Sequence, residues 1–264
     1  MGSAAIAYSG GVDSTLLLKV ARDCLGDRAL GVIGRSKTMP RREYEFAVRT
    51  AELMGAEFEV VDTCELDLPG FVSNPPDRCR ICKKELFGKL RDAADREGLT
   101  WVADGSNLDD RSDYRPGLQA AKEMGVRSPL AEAGFTKEDV RALSRAIGLP
   151  TWDKPSKACL SSRFPFGTEI TAEKLAAVEE AENFLEDRGF KQMRVRHHGD
   201  IARVEVEPAE IHRLLHSGIR EKVVSKIKSL GFRYVTVDLA GYASGSLNPE
   251  PSESDEDGSA GDDP

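Results

Sequence analysis

Residues 4–14 read Ala4-Ala5-Ile6-Ala7-Tyr8-Ser9-Gly10-Gly11-Val12-Asp13-Ser14, a short apolar run that breaks into a serine–glycine turn. Leu16, Leu17 and Val20 follow at helical spacing, so the stretch reads as strand, glycine turn, helix. Further strands are expected at 29–33, 57–61 and 100–103, with a helix over 41–54; the last of these strands runs into Asp104-Gly105-Ser106-Asn107. Strands alternating with helices predict an α/β domain over residues 1–166, a parallel sheet with helices on both faces.

Outward from there the pattern changes. Thr136-Lys137-Glu138-Asp139 has the form of a capping box, with Val140, Leu143 and Ile147 as the buried stripe and Gly148 and Pro150 as the stop. A loop rich in Pro, Ser and Gly fills 150–167. A long helix over 171–188 follows, then strands at 192–197 and 202–207, two helical stretches separated by Gly218, and a strand at 232–239. Residues 167–243 thus predict a smaller α+β domain that binds substrate or mediates assembly. Residues 244–264 are Pro, Ser, Gly and acid, with too little apolar surface to offset chain entropy, and are expected to be disordered.

The chain has 264 residues, 40% hydrophobic and 31% charged, enough for a real core. Its net charge is −8, yet seven acids unaccompanied by a base lie from Glu250 to Asp263, so the rest is close to neutral. A globally basic nucleic-acid binder is disfavoured. There is no run of 18 apolar residues and no basic-then-apolar leader, so a cytoplasmic protein without membrane contact is expected. Five cysteines in such a chain point to metal or thiol chemistry before disulfides.

The turn at Ser9-Gly10-Gly11-Val12-Asp13-Ser14 suits an anion. Glycines let backbone approach an oxyanion, the Ser9 and Ser14 hydroxyls can donate, and a helix N-terminus favours negative charge. It is not the GxxxxGK(S/T) loop, because no lysine follows the glycines. The bland alternative is an ordinary turn, which a bare Gly-Gly would favour and the full string does not.

Cys79-Arg80-Ile81-Cys82 places a CxxC at a helix start beside Arg78, Lys83 and Lys84, a setting expected to favour thiolate. No second CxxC or spaced His pair completes a four-ligand zinc site. Cys159 lies in a polar loop between Lys157 and Arg163, a poor place for a packing cysteine. Three thiolates, Cys79, Cys82 and Cys159, leave one position of a four-iron cluster open. The alternative is a chance CxxC, solvent-facing or zinc-bound. Cys24 and Cys64 are expected in the interior.

Arg194 and Arg196 alternate on a strand and share a face, a fork suited to phosphate or carboxylate, unless they merely point at water. Glu182 sits at the margin of its helix's apolar stripe, and either arginine is its expected partner. His197 and His198 are candidate acid–base groups, against the blander reading of polar surface.

SGGVDS resembles the PP-loop of ATP pyrophosphatases, whose shared reaction is adenylation with release of pyrophosphate. The stretch from Trp152 through Gly167 is similar to the signature of the LarE family of ATP-dependent sulfur transferases, which build the nickel-pincer cofactor of lactate racemase. Gly105-Ser106-Asn107-Leu108-Asp109-Asp110, Asp113-Tyr114-Arg115-Pro116-Gly117 and residues 194–203 extend the resemblance to about 4–240.

What the resemblance implies is a PP-loop (adenine nucleotide alpha hydrolase-like) fold and conversion of the carboxylates of pyridinium-3,5-biscarboxylic acid mononucleotide to thiocarboxylates through acyl-adenylates. It implies ATP and Mg2+ as cofactors, with Ser9, Gly10, Gly11, Asp13, Ser14, Ser36, Gly105, Asn107 and Arg115 as cofactor-binding residues. It gives Cys159, Asp13 and Arg163 to catalysis and Arg194, Arg196, Glu182 and Ser162 to the substrate. The magnesium ligands stay open among Asp13, Asp104, Asp109 and Asp110. In members with one motif cysteine, that residue gives up its own sulfur and becomes dehydroalanine. Members with three ligate a [4Fe-4S] cluster, and this chain has three. The resemblance also implies a homo-oligomer, a hexamer of three dimers, and a sulfide donor as partner. A PP-loop tRNA thiolase and a nucleotide-binding module without chemistry are the alternatives. Near-neutral charge argues against the first, and Asp13, Cys159 and Arg163 against the second.

Overall fold

A computed structural model describes residues 1–112 and 116–243. The expectations placed on Asp113, Tyr114 and Arg115 and on the acidic tail lie outside the described residues.

Four strands, β1 (Ala4–Ala7), β2 (Ala29–Arg35), β3 (Phe58–Asp62) and β4 (Trp101–Ala103), form an all-parallel sheet in the order β3-β2-β1-β4. The central strand is short and almost wholly apolar because it is covered on both sides; Ala4, Ala5 and Ile6 are fully buried. On one face lie α1 (Val12–Leu25), α2 (Arg41–Leu53), a single turn α5 (Pro129–Glu132) and α6 (Lys137–Ala146), sharing a core of Leu16, Leu18, Ala47, Ala51 and Val140 with Ile6 and Ile33. On the other face α3 (Arg78–Arg96) and α4 (Pro116–Glu123) bury Phe87, Leu90, Ala93 and Ala120 against Ala5, Val32 and Val102. The α/β reading with helices on both faces is what the structure has.

A second sheet has the order β5-β6-β7. β5 (Met193–His198) and β6 (Ile201–Val206) form an antiparallel hairpin closed by the two residues Gly199-Asp200, and β7 (Tyr234–Val237) runs parallel to β6. Gly199 has φ +63°, the left-handed geometry that two-residue turns require. α7 (Ala172–Glu186), α8 (Ile211–Leu215) and α9 (Ser217–Ser229) cover this sheet. Its core combines Leu175, Val178, Leu185, Val195, Val204 and Ile227 with Phe71, Leu160 and Phe164 from the segments that flank the CxxC and Cys159. Packing therefore ties both cysteine-bearing segments to the second sheet.

The Thr136 capping box forms as expected: Thr136 and Asp139 each bond the other's backbone N–H. Three expectations need correction. Ile147 lies outward at 43% exposure, whereas Ser144 takes an inward place on α6. Gly218 does not separate two helices but lies in the first turn of α9; the break falls at His216, whose extended backbone ends α8. Cys24 and Cys64 are exposed, because α1 and the β3 exit present those positions to solvent.

Candidate active site

The crossovers from β1 run to β2 on one side while β4 joins on the other, so the loops after β1 and β4 face each other across a crevice at the carboxyl ends, the usual ligand position in open parallel sheets. The first loop holds Ser9, Gly10 and Gly11. Gly10 has φ +70°, and a Cβ there would lie 2.8 Å from both Cα and Cβ of Ala47, so both backbone angle and space demand glycine. Ser9 and Ser14 hydroxyls meet at 3.1 Å, and the Ser9 N–H donates to Ser14 Oγ at 3.2 Å. Gly11 caps α1 without any side-chain bond, which leaves the N–H groups of the first turn available to an anion.

The second loop presses on the first. A Cβ at Gly105 would sit 2.8 Å from the Ser14 nitrogen. Asn107, fully buried, donates from Nδ2 to Asp13 Oδ1 at 2.9 Å and accepts the Asp109 N–H at Oδ1. Asp104 is held by the Ser106 and Ser128 hydroxyls at 2.9 and 2.8 Å, and Asp109 Oδ2 accepts the Lys137 N–H at 2.8 Å. Ser36, at the exit of β2, bonds Thr38 Oγ1 at 2.9 Å, and the Thr38 carbonyl accepts the Leu160 N–H at 2.7 Å. The structure therefore gathers Ser9, Gly10, Gly11, Asp13, Ser14, Gly105 and Asn107 in one crevice, with Ser36 on the strand exit leading to the Cys159 loop.

Two cations enter this crevice from far along the chain. Lys137, the first residue of α6, reaches Asp13 Oδ2 at 2.5 Å. Lys154 donates to the Gly10 carbonyl at 3.0 Å, pairs with Glu43 at 2.8 Å and lies 3.7 Å from the centroid of the Phe46 ring. Glu43 also holds Lys157 at 3.1 Å, and Lys157 continues to Glu186 of α7 at 2.8 Å. Burial alone would push the Glu43 carboxyl up, but the two ammonium groups hold it below the ordinary carboxylate value. Sequence reasoning missed all four. Lys137 was legible only as part of a capping box, Lys154 and Lys157 lay in the singled-out loop, and Glu43 carried no signal in an unremarkable helix.

The loop that carries Cys159 is held by its carbonyl oxygens. Arg163, 1% exposed, donates to Ala158 O at 2.8 Å, Cys159 O at 3.0 Å and Ser162 Oγ at 2.9 Å. Arg78 donates to Ser161 O at 3.0 Å, Arg196 to Ser162 O at 2.9 Å, and the Ser162 hydroxyl to Cys159 O at 2.8 Å. Guanidinium groups from three elements thus add charged donors to the carbonyls of this loop, some of which also accept from Ser162 and Phe164. Arg163 acts on Cys159 by fixing its backbone.

Glu182 corrects an expectation about its partner. It forms a two-pronged pair with Arg163, Oε1 to Nε at 2.9 Å and Oε2 to Nη2 at 2.8 Å, and accepts the Val195 N–H at 3.0 Å. Helix α7 aims this carboxylate at the Cys159 loop rather than at the strand arginines. Arg194 and Arg196 are 4% and 5% exposed, so neither points at water. Arg196 spends its fork on Glu205 of the neighbouring strand, at 3.0 and 2.8 Å. Among the described residues Arg194 has no carboxylate within pairing distance. Its bonds go to Met193 O at 2.6 Å, to Ser156 O at 3.5 Å and to the Tyr242 hydroxyl at 3.4 Å. Burial and the nearby Arg163 push its guanidinium below the ordinary value, and Glu182, which is spent on Arg163, offsets them only in part. His197 packs between Phe164 and Phe232, each ring centroid 5.1 Å away, and its Nδ1 has no bonding partner among the described residues; burial lowers its pKa. The arrangement is that of a core histidine.

The start of α3, which carries Cys79 and Cys82, adjoins the Cys159 loop, because Arg78 bonds the Ser161 carbonyl across them. The charge of Cys159 raises the pKa of both other thiols, and Cys79 and Cys159 both act on Cys82. Local cations do not win, contrary to the sequence expectation. Arg78 and Lys83 pull the Cys79 thiol down, but crowding by the surrounding atoms outweighs them and its pKa is raised, although the residue is still exposed to solvent. Cys82 is raised further, by burial first and then by Glu65, whose Oε1 accepts its S–H at 3.6 Å. Among the described residues no three such side chains stand close enough to hold a single metal ion.

No family model matches the chain. It is 43% identical over 244 residues to pyridinium-3,5-bisthiocarboxylic acid mononucleotide synthase of Lactiplantibacillus plantarum, covering 92% of this chain and 88% of the relative. An uncharacterised protein of Synechocystis is 48% identical over 245 residues, with 93% and 91% covered. More distantly, one of the subunits of the glutamine-hydrolysing GMP synthase of Thermoplasma acidophilum is 28% identical over 202 residues, 71% of this chain and 64% of that one. Among the described residues no helix is long and apolar enough to cross a membrane.

Proposed function

The chain belongs to the LarE family of ATP-dependent sulfur transferases, and we propose on that premise that it converts the carboxylates of pyridinium-3,5-biscarboxylic acid mononucleotide to thiocarboxylates. It is a sulfurtransferase enzyme of cofactor biosynthesis, and ATP use accords with its similarity to GMP synthase. The observations behind the finer reading are the contact of the CxxC helix with the Cys159 loop, through Arg78 and the Ser161 carbonyl, and the reach of that same loop to the nucleotide crevice through Lys154.

A carboxylate is a poor electrophile because its leaving group would be oxide. In the crevice, an oxygen of the substrate carboxylate attacks the α-phosphorus of ATP, the bond to the bridging oxygen breaks, and pyrophosphate leaves. The uncapped N–H groups of α1 and the Ser9 and Ser14 hydroxyls receive the polyphosphate, with Lys137 and Lys154 supplying the positive charge that a lysine within the loop supplies elsewhere. Asp13 holds Lys137 and would accept Mg2+. A reduced sulfur then attacks the acyl carbon, the carbon–oxygen bond to AMP breaks, and a thiocarboxylate remains; the second carboxylate reacts in the same way. Arg194, buried without an anion, receives the phosphate or the waiting carboxylate of the mononucleotide. Arg196 and Glu182 act through the Cys159 loop. A [4Fe-4S] cluster held by Cys79, Cys82 and Cys159 would supply an open iron position able to carry the sulfur.

Anaerobic purification with iron and sulfide quantification tests the sulfur route, for the native chain and for Cys79→Ala, Cys82→Ala and Cys159→Ala. Loss of iron in all three variants is expected. A metal-free native chain that turns over once while Cys159 loses the mass of hydrogen sulfide would establish the sacrificial route instead.

A further inference from the structure

The chain does not stop at β7. Asp238 and Gly241 close a turn, with the Gly241 N–H donating to Asp238 O at 3.1 Å, and the Tyr242 N–H then donates to Val206 O at 2.8 Å. Gly241 has φ +78°, and a Cβ there would lie 2.8 Å from Val206 O and 2.9 Å from Pro208 Cγ, so only glycine allows this return. The return places Tyr242 against Arg194: the guanidinium carbon lies 4.9 Å from the ring centroid and Nη2 donates to the hydroxyl at 3.4 Å. Among the described residues, apart from this ring and hydroxyl, the Arg194 side chain is tethered only to carbonyls.

We propose that Tyr242 is a substrate-positioning residue, which holds the Arg194 guanidinium through its ring face in the orientation that receives an anionic group of the mononucleotide. This rests on Arg194 being that receiver. A buried arginine without a carboxylate has several rotamers of similar energy, and each would have to be surrendered when the substrate binds. Stacking on a fixed ring removes that freedom beforehand while leaving to the anion the N–H groups not spent on Met193, Ser156 and Tyr242, so binding of the anion gains what the free arginine would lose. The ring face carries the effect and the hydroxyl adds little, because a 3.4 Å bond is long.

The test uses the full chain and substrate-dependent exchange of pyrophosphate with ATP, which needs no sulfur. Mononucleotide and ATP are varied separately for the native chain, Tyr242→Phe, Tyr242→Leu and Arg194→Met. Tyr242→Leu is expected to raise the KM for the mononucleotide about tenfold, with the KM for ATP and the limiting rate within about twofold. Tyr242→Phe is expected to stay within about threefold of native, a rescue that a merely structural loss would not show. An unchanged mononucleotide KM in a folded Tyr242→Leu chain overturns the inference, as does an equal rise for both substrates. Should the leucine chain not fold, a rise of about tenfold in Tyr242→Phe overturns it as well, since the ring face is still present. If Arg194→Met leaves the mononucleotide KM unmoved, the reading of Arg194 fails and takes this inference with it. If Arg194→Met raises that KM and Tyr242→Leu does not, the role of Tyr242 alone fails.

Discussion

Replacing Glu182 by glutamine removes one charge from a pair whose partner, Arg163, is 1% exposed. The side-chain shape is kept, but an amide N–H₂ now faces a guanidinium N–H that lay 2.8 Å from Oε2, and the arginine charge is left without its counterion. Breaking a buried pair in this way costs about 3–5 kcal/mol. For a chain of this size that corresponds to a fall in Tm of roughly 10 °C. The double variant Arg163→Met with Glu182→Leu separates stability from placement. It removes both charges and keeps apolar volume, so its stability is expected within about 2 kcal/mol of native. It also strips the donor from the carbonyls of Ala158 and Cys159, so thiocarboxylate formation is expected to fall more than about tenfold. Urea denaturation at about pH 7.5 and product analysis on the same preparations measure the two effects. A Glu182→Gln chain within about 1 kcal/mol of native would refute the first step. A stable double variant with full activity would refute the claim that Arg163 positions Cys159.

Other outcomes follow from the same geometry. Lys137→Met removes the partner of Asp13 from a part-exposed site, and is expected to reduce pyrophosphate exchange about tenfold or more with little change in Tm. Gly10→Ala is expected to lose exchange and stability together, because its methyl group meets Ala47 at 2.8 Å on a left-handed backbone. Burial lowers the pKa of His197, so the unfolded chain binds more protons below about pH 6.5; stability is expected to fall as pH drops through that value, and His197→Phe to flatten the fall in a pH series of denaturation midpoints. Cys79 is exposed and Cys82 half-buried, and the pKa of both thiols is raised, so alkylation of the metal-free chain is expected still to accelerate above about pH 9, more slowly for Cys82; a plateau by about pH 8 would contradict that direction.

The sheet was legible because β1 is an unbroken apolar run leading into Gly10-Gly11, and buried parallel strands write that pattern plainly. The nucleotide loop was legible for the same reason: glycine is demanded locally, by a backbone angle and by Ala47. The thiols were visible as residues, and they were grouped by their polar settings and by resemblance rather than by spacing, since 77 positions separate Cys82 from Cys159. What the sequence did not show is who pairs with whom. Glu182 sits at a position open to either arginine on the strand, and the choice of Arg163 is made only when α7 packs against the Cys159 loop. The same holds for Lys154, Lys157 and Glu43, whose ion pairs join residues more than a hundred positions apart. Thiol pKa was misjudged because adjacent cations are local and readable, whereas burial is a property of the fold.

The most direct measurement is anaerobic incubation of the chain with ATP and pyridinium-3,5-biscarboxylic acid mononucleotide, with a reduced sulfur source present, followed by mass spectrometry of every product. AMP and pyrophosphate in equal amounts are expected, appearing only with the mononucleotide, together with a substrate in which sulfur has replaced carboxylate oxygen. ATP cleavage that ignores the mononucleotide, or a mononucleotide recovered without sulfur while AMP accumulates, would contradict the account.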